Sequence, residues 1–134
     1  MGMEDVVNLE YRIDHFSLLV KDLARSIKFY TDVFGFEVIA ETSNEKIRWL
    51  KIGGSDTIHL SEGDTTTTSL RKDTHFALRV SDLDVFLADM QNRAIAYYDW
   101  PGNINKVGER FDGYRQVYIQ DPDGYWIEVN NHGP

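Results

Sequence analysis

Two histidines stand at equivalent places in two similar stretches of this chain. Residues 14–23 read Asp-His-Phe-Ser-Leu-Leu-Val-Lys-Asp-Leu and residues 74–83 read Thr-His-Phe-Ala-Leu-Arg-Val-Ser-Asp-Leu, so His15 and His75 lie 60 positions apart. An imidazole supplies a nitrogen ligand for borderline divalent metals. The same polar residue at the head of the same alternating stretch indicates a duplicated module, with a metal between its two halves.

His59 and Glu128 are two further candidate ligands, on the stretches predicted to be the last strand of each module. Each is flanked by two aliphatic residues. Because side chains alternate along a strand, both candidates point away from those apolar neighbours. The structural alternatives are a half-exposed strand residue for His59 and a solvated carboxylate for Glu128. Three imidazoles and one carboxylate together suit one divalent metal ion, Zn²⁺, Ni²⁺, Co²⁺, Mn²⁺ or Fe²⁺.

Composition narrows the class of protein. The 134 residues, 42% of them hydrophobic, suffice for a single domain over 1–134. The net charge of −8, with the acidic residues scattered, argues against nucleic acid or an anionic membrane as a partner. Cysteine is absent, which excludes disulfides and thiolate ligands. No apolar run is long enough to span a membrane and no signal pattern opens the chain, so we expect a cytoplasmic protein.

Hydrophobic periodicity predicts one helix and four strands in the first copy. Asp22 has the character of a helix N-cap, apolar residues follow at helical spacing, and Gly35 is a plausible C-cap. The predicted strands are Ile13–Val20, Phe36–Glu41, Lys46–Ile52 and Thr57–Ser61.

The second copy repeats the order β-α-β-β-β after a Gly- and Thr-rich linker, residues 62–73. Its helix is capped at Ser81 or Asp82, and residues 99–113 are predicted to form a long loop, which in a compact domain is often functional. Arg48–Ile52 matches Arg115–Ile119 at an offset of 67. The predicted strands are Thr74–Val80, Ala94–Tyr98, Tyr114–Gln120 and Tyr125–Asn130.

The predicted fold is therefore α+β: two tandem βαβββ modules, about 11–62 and 74–131, that form a curved-sheet cup. The apolar faces pack on the helices and the ligand faces line the cup. Trp49, Tyr118 and Trp126 share the parity of the ligands and are candidates for an aromatic substrate pocket, although strand aromatics are usually core residues. Arg79 and Arg115 are candidates to hold an anionic substrate group, with a solvated surface role as the alternative.

Two stretches resemble a known superfamily. Within the duplicated order, Asp22–Phe36 and Asp121–Val129 are similar to the glyoxalase/bleomycin-resistance/extradiol-dioxygenase superfamily, the vicinal oxygen chelate fold, and the resemblance extends from about residue 12 to 130. It implies a metal that binds two neighbouring substrate oxygens. Carried over position by position, the family's ligands fall on His15, His59, His75 and Glu128. The resemblance also implies that Glu128, the only carboxylate of the four, shuttles a proton as general base.

Departures from glyoxalase I bear on the substrate. The second ligand there is Glu, whereas here it is His59, and the positions that hold the glutathione carboxylate carry Leu19 and Gly63. The first interpretation is a glyoxalase-like lyase or isomerase, similar to lactoylglutathione lyase, that abstracts a proton from a small oxygenated substrate. The resemblance also implies a homodimer, and it leaves open whether the site forms within one chain or across two.

Other members of the superfamily provide the alternatives. An Fe(II) extradiol-type dioxygenase would need only His15, His75 and Glu128 as ligands. A fosfomycin-modifying transferase also uses two His and one Glu. A bleomycin-binding protein would sequester its ligand without a metal, whereas this chain has all four ligand positions filled.

Overall fold

The computed structural model describes residues 7–41 and 44–133. The chain forms two compact units whose boundary falls between Thr65 and Thr66, inside the predicted linker. Each unit contains one helix and one four-stranded sheet, which confirms the α+β class and the two tandem βαβββ modules. No helix in the described part of the chain is long and apolar enough to cross a membrane.

The first unit has its strands in the order β1-β4-β3-β2. Strand β1 runs parallel to β4, and the other neighbouring pairs are antiparallel. The parallel pair requires the chain to cross from β1 over the sheet, which the helix accomplishes. The elements are β1 (His15–Val20), α1 (Leu23–Phe34), β2 (Glu37–Glu41), β3 (Ile47–Gly53) and β4 (Asp56–Glu62).

Both predicted ends of α1 are confirmed. The Asp22 side chain accepts a hydrogen bond from the Arg25 backbone N–H at 3.1 Å, and Gly35 ends the helix in the left-handed region at φ 73°. Leu23 and Tyr30 are buried on the helix. The fully buried strand residues of this unit complete its core: Val20, Leu50, Ile58 and Leu60.

Removing the α1 N-cap tests this account of the helix. We expect Asp22→Ala to lower the free energy of unfolding by about 1 kcal/mol, because the Arg25 N–H loses its acceptor. Urea unfolding followed by circular dichroism measures the change. Asp22→Asn is the control, since the amide oxygen can still accept and should lose only a small part of that stability. Equal losses in the two variants would contradict the capping role.

The second unit repeats the topology in the order β5-β8-β7-β6, with β5 parallel to β8. Asp82, one of the two predicted caps, accepts from the Val85 N–H at 3.1 Å at the start of the helix. The elements are β5 (His75–Arg79), α2 (Leu83–Asn92), β6 (Gly108–Glu109), β7 (Arg115–Gln120) and β8 (Trp126–Asn130).

The predicted strand Ala94–Tyr98 is wrong. Ala94 has a left-handed backbone, φ 54°, so no extended run begins there, and Tyr98 makes only isolated bridges, to Ile104 and Tyr118. The strand that takes this place in the strand order is β6. It is two residues long and lies within the segment 99–113, which was predicted to be a loop. It pairs with the start of β7.

Strand register shows which positions of the two units are equivalent. His59 lies between Ser17 and Trp49 in the first sheet, and Glu128 lies between Ala77 and Tyr118 in the second. Trp49 and Tyr118 are therefore equivalent, at an offset of 69. The offset of 67 suggested by Arg48–Ile52 and Arg115–Ile119 is wrong by two residues, because pairing with the last strand, and not letter similarity, fixes the register.

Candidate functional site

His15 and His59 lie close together on the first sheet. Their ring centroids are 6.1 Å apart. The indole of Trp49 contacts both rings, with its centroid 4.7 Å from that of His15 and 4.6 Å from that of His59. The structure thus places one predicted aromatic residue against both predicted ligands of this unit.

The second nitrogen of each imidazole has a local partner. His15 Nδ1 lies 2.7 Å from Asp14 Oδ2, and His59 Nδ1 lies 3.0 Å from Ser17 Oγ. Such contacts orient a ring and leave Nε2 available as a metal ligand. Burial, and secondarily the nearby His15, lowers the pKa of His59. The neutral form, which is the one that ligates a metal, is therefore favoured at neutral pH.

In the second unit, His75 and Glu128 are in direct contact. His75 Nε2 lies 3.3 Å from Glu128 Oε1, and His75 Nδ1 lies 2.7 Å from the carbonyl oxygen of Lys72. Since a carbonyl only accepts, Nδ1 must carry a hydrogen. A neutral His75 would then direct the lone pair of Nε2 at a carboxylate oxygen. A proton or a metal ion can lie between the two atoms.

Two further hydrogen bonds hold the buried Glu128 carboxylate. The Tyr118 hydroxyl donates to Oε1 at 3.1 Å, and Asn130 Nδ2 donates to Oε2 at 2.6 Å. Burial, and next the charge of Glu128, raises the pKa of Tyr118. The hydroxyl therefore keeps its proton and acts as a donor. These contacts fix the orientation of the carboxylate while leaving Oε1 beside His75.

The donor atoms fit a borderline divalent metal. At 3.3 Å, His75 Nε2 and Glu128 Oε1 are close enough to ligate one ion with bonds of about 2.0–2.1 Å. Within either unit, the described residues include no group of three or more His, Asp or Glu side chains able to hold a metal. Each unit therefore offers one pair of the four predicted ligands.

A cleft of about 520 Å³ in the second unit is lined in part by Glu128. Trp100 and the fully exposed Phe111 contribute aromatic walls from the long loop. Arg110 pairs with Asp112 at 2.7 Å at the same place. Sequence reasoning missed Asn130, although it lies two residues after Glu128 and so shares its face. The cleft-lining residues are Ala77, Trp100, Glu109, Arg110, Phe111, Gln116, Glu128 and Asn130.

The predicted substrate-binding residues lie in different surroundings. Trp126 is aligned with His75 in the β5–β8 register, and Arg79 is exposed at the end of β5. Arg115, by contrast, donates to Asp84 of α2 at 2.9 Å. That contact engages it on the helix side of the sheet, away from the face that carries Tyr118.

Comparisons with known proteins cover nearly the whole chain. The family model described as Glyoxalase/Bleomycin resistance protein/Dioxygenase superfamily matches residues 12–129. Lactoylglutathione lyase of Schizosaccharomyces pombe is 26% identical, over 89% of this chain and 47% of that protein. Metallothiol transferase FosB of Staphylococcus saprophyticus is 25% identical, over 88% of this chain and 75% of that protein.

Solved structures share the fold. Oxidase ChaP-H2 superposes with a TM-score of 0.75 at 20% sequence identity, and the match covers 93% of this chain and 96% of that one. At this identity, the likeness concerns the arrangement of helices and strands.

Proposed function

Because this chain belongs to the glyoxalase/bleomycin resistance protein/dioxygenase superfamily, we propose that it is a metal-dependent lyase or isomerase of the glyoxalase kind. Its substrate is a small oxygenated molecule, and the reaction is abstraction of a proton next to a substrate oxygen. The observation that carries the proposal is the contact of His75 Nε2 with Glu128 Oε1, which places two metal-ligating atoms side by side in a unit whose cleft is lined by the same carboxylate.

The proposed ligands are His15, His59, His75 and Glu128, one pair from each unit. The metal, when bound, supplies a Lewis acid that polarises the substrate oxygens and so lowers the pKa of the adjacent C–H. The two pairs belong either to one chain or to two chains of a homodimer. The homodimer and the cytoplasmic location remain predictions of the sequence.

Glu128 is the proposed base. Its carboxylate takes the proton from the substrate carbon, the electron pair of that C–H bond passes toward the neighbouring oxygen, and the same carboxylate then returns the proton to the adjacent carbon. The hydrogen bonds from Tyr118 and Asn130 hold the carboxylate in one orientation during both transfers. Trp100 lines the cleft beside it and provides an apolar wall for the substrate. Positioning by fixed neighbours is what keeps a general base within reach of a carbon acid.

A second candidate function is thiol transfer to an oxygenated antibiotic. The likeness to metallothiol transferase FosB supports it, at an identity close to that of the lyase. The two reactions differ in whether they consume a free thiol. The lyase rearranges a thiol adduct that has already formed, whereas the transferase uses up a free thiol. Loss of thiol in the presence of fosfomycin would therefore favour the second candidate.

Metal removal tests the proposed function. We expect protein purified without chelator to contain about one divalent metal per chain, because the two pairs of proposed ligands together make one four-donor set. Dialysis against a chelator should abolish conversion of hemithioacetals formed from 2-oxoaldehydes and small thiols, and added Zn²⁺, Ni²⁺ or Co²⁺ should restore it. Elemental analysis and ultraviolet absorbance provide the measurements.

Two results, one from that experiment and one from an oxygen-uptake assay, would contradict the proposal. Undiminished turnover by metal-free protein would show that the reaction does not need the ion. Oxygen uptake with catechols by the Fe²⁺-loaded protein, without conversion of any hemithioacetal, would instead assign dioxygenase chemistry.

A further inference from the structure

Lys72 ties the turn before β5 to the loop that lines the cleft. The turn is closed by the Thr74 N–H, which donates to the Arg71 carbonyl at 3.1 Å. From within this turn, Lys72 Nζ donates to the carbonyl oxygens of Asp99 and Trp100, at 2.6 Å and 2.7 Å. One ammonium group therefore fastens two segments that are 27 residues apart in sequence.

Three aromatic rings surround the same ammonium. Lys72 Nζ lies 5.5 Å from the ring centroid of Trp100, 5.0 Å from that of Tyr118 and 4.9 Å from that of Trp126. Each distance is within the range of a cation–π attraction, which strengthens where water is excluded. The two carbonyls and three rings leave the ammonium engaged with the protein on several sides, which is unusual for a lysine on a linker.

The backbone of Lys72 also reaches the proposed metal ligands. Its carbonyl oxygen is the acceptor for His75 Nδ1, and the Tyr118 ring below its ammonium carries the hydroxyl that donates to Glu128. We propose that Lys72 is a positioning residue, which sets the orientation of His75 and the place of Trp100 through its two ends. This inference rests on the proposed function, because it concerns the ligands and the cleft of that site.

The chemistry of lysine fits this role. A compact ammonium carries three donors and can serve two carbonyls that both lie within hydrogen-bonding distance. The planar guanidinium of arginine is wider, and methionine has similar length without charge. Both replacements should therefore loosen the turn and the loop, methionine the more.

The test compares Lys72→Met with the control Lys106→Met, which removes an exposed lysine of the same unit. We expect Lys72→Met to weaken Co²⁺ affinity about tenfold, as for other groups that orient a ligating histidine, and to alter the Co²⁺ absorption spectrum. Hydrogen exchange at the Gly102 and Asn103 amides, which donate to Asp99 Oδ1, should quicken in the metal-free protein. Lys106→Met should change neither quantity.

Chemical rescue separates a positioning role from a loss of folding. In Lys72→Ala, n-propylammonium replaces the missing part of the side chain, and we expect it to restore Co²⁺ affinity and amide protection. n-Propanol, of similar size without charge, should not restore them. Lys72→Arg keeps a cation among the three aromatic rings, so it should lose less Co²⁺ affinity and amide protection than Lys72→Met. It also provides a second variant if methionine prevents folding.

The inference would be overturned if Co²⁺ affinity and amide exchange in Lys72→Met stayed within twofold of wild type. Failure of n-propylammonium to restore either quantity in a folded Lys72→Ala would also overturn it. Wild-type protein that binds no divalent metal would contradict the proposed function instead. In that case unchanged exchange in Lys72→Met would overturn the positioning role as well, and faster exchange would support the tie to the loop.

Discussion

Replacing Glu128 by glutamine is expected to lower turnover about 10²–10⁴-fold while the metal stays bound. The amide is nearly the same size as the carboxylate, but it cannot take a proton from the substrate. The Tyr118 hydroxyl can still donate to the amide oxygen, whereas the amide NH₂ would face Asn130 Nδ2. Asn130 cannot simply reverse, because its Oδ1 accepts from the His132 N–H at 3.0 Å. We therefore also expect a loss of about 1 kcal/mol in stability.

Steady-state kinetics and elemental analysis of the same preparation check this prediction. Glu109→Gln is the matched control, since Glu109 also lines the cleft but is exposed on β6. It should leave turnover within a few-fold of wild type. Loss of the metal together with turnover in Glu128→Gln would make Glu128 primarily a ligand, and unchanged turnover would remove it as the base.

The second large effect is expected from replacing the equivalent histidines of the two units, His15 and His75. His15→Ala and His75→Ala should each weaken metal binding about 100-fold or more, because each removes a direct ligand whereas loss of an orienting partner alone costs about 10–100-fold. Competition with a chromophoric chelator measures the affinity. His132→Ala is the control, since that exposed ring packs on Tyr114 and belongs to neither pair. Unchanged metal affinity in either variant would show that the replaced histidine is not a metal ligand and would contradict the proposed set of four ligands.

The same two variants also distinguish a site within one chain from a site across a dimer. If the pairs come from different chains, mixed dimers of His15→Ala and His75→Ala contain one intact site, and unfolding and refolding the mixture should recover up to about a quarter of wild-type metal binding. If both pairs belong to one chain, the mixture should recover nothing. Light scattering on the mixture establishes the assembly that is present.

Strong local signals made much of the fold predictable. The caps at Asp22 and Gly35 and the alternation of β1 and β4 are encoded in neighbouring residues, so they could be predicted from the sequence. Strand β6 could not, because two residues carry no periodic pattern and their pairing with β7 is decided by packing. The positive φ of Ala94 likewise leaves no mark in a sequence where Ile95, Tyr97 and Tyr98 suggest a strand.

For the candidate site, the sequence predicted which strand face each side chain occupies, but it did not predict the hydrogen-bond partners of those side chains. Parity placed His59 and Glu128 away from their apolar neighbours, but the Asp84 that engages Arg115 lies 31 residues away on another element. The role of Lys72 could not be predicted for the same reason. Lys72 lies in a polar stretch typical of a linker, and the carbonyl groups that accept from it belong to a later loop. Long-range hydrogen bonds of this kind leave no local pattern.

The register equivalence of His59 and Glu128 has a stereochemical consequence. Two equivalent strand positions carry an imidazole in one unit and a carboxylate in the other. The two units therefore differ in their ability to accept a proton at this position. Under the proposed chemistry, the proton can leave the substrate toward only one half of the protein. A prochiral carbon held there would present a single face to the returning proton, and the product would form as one enantiomer.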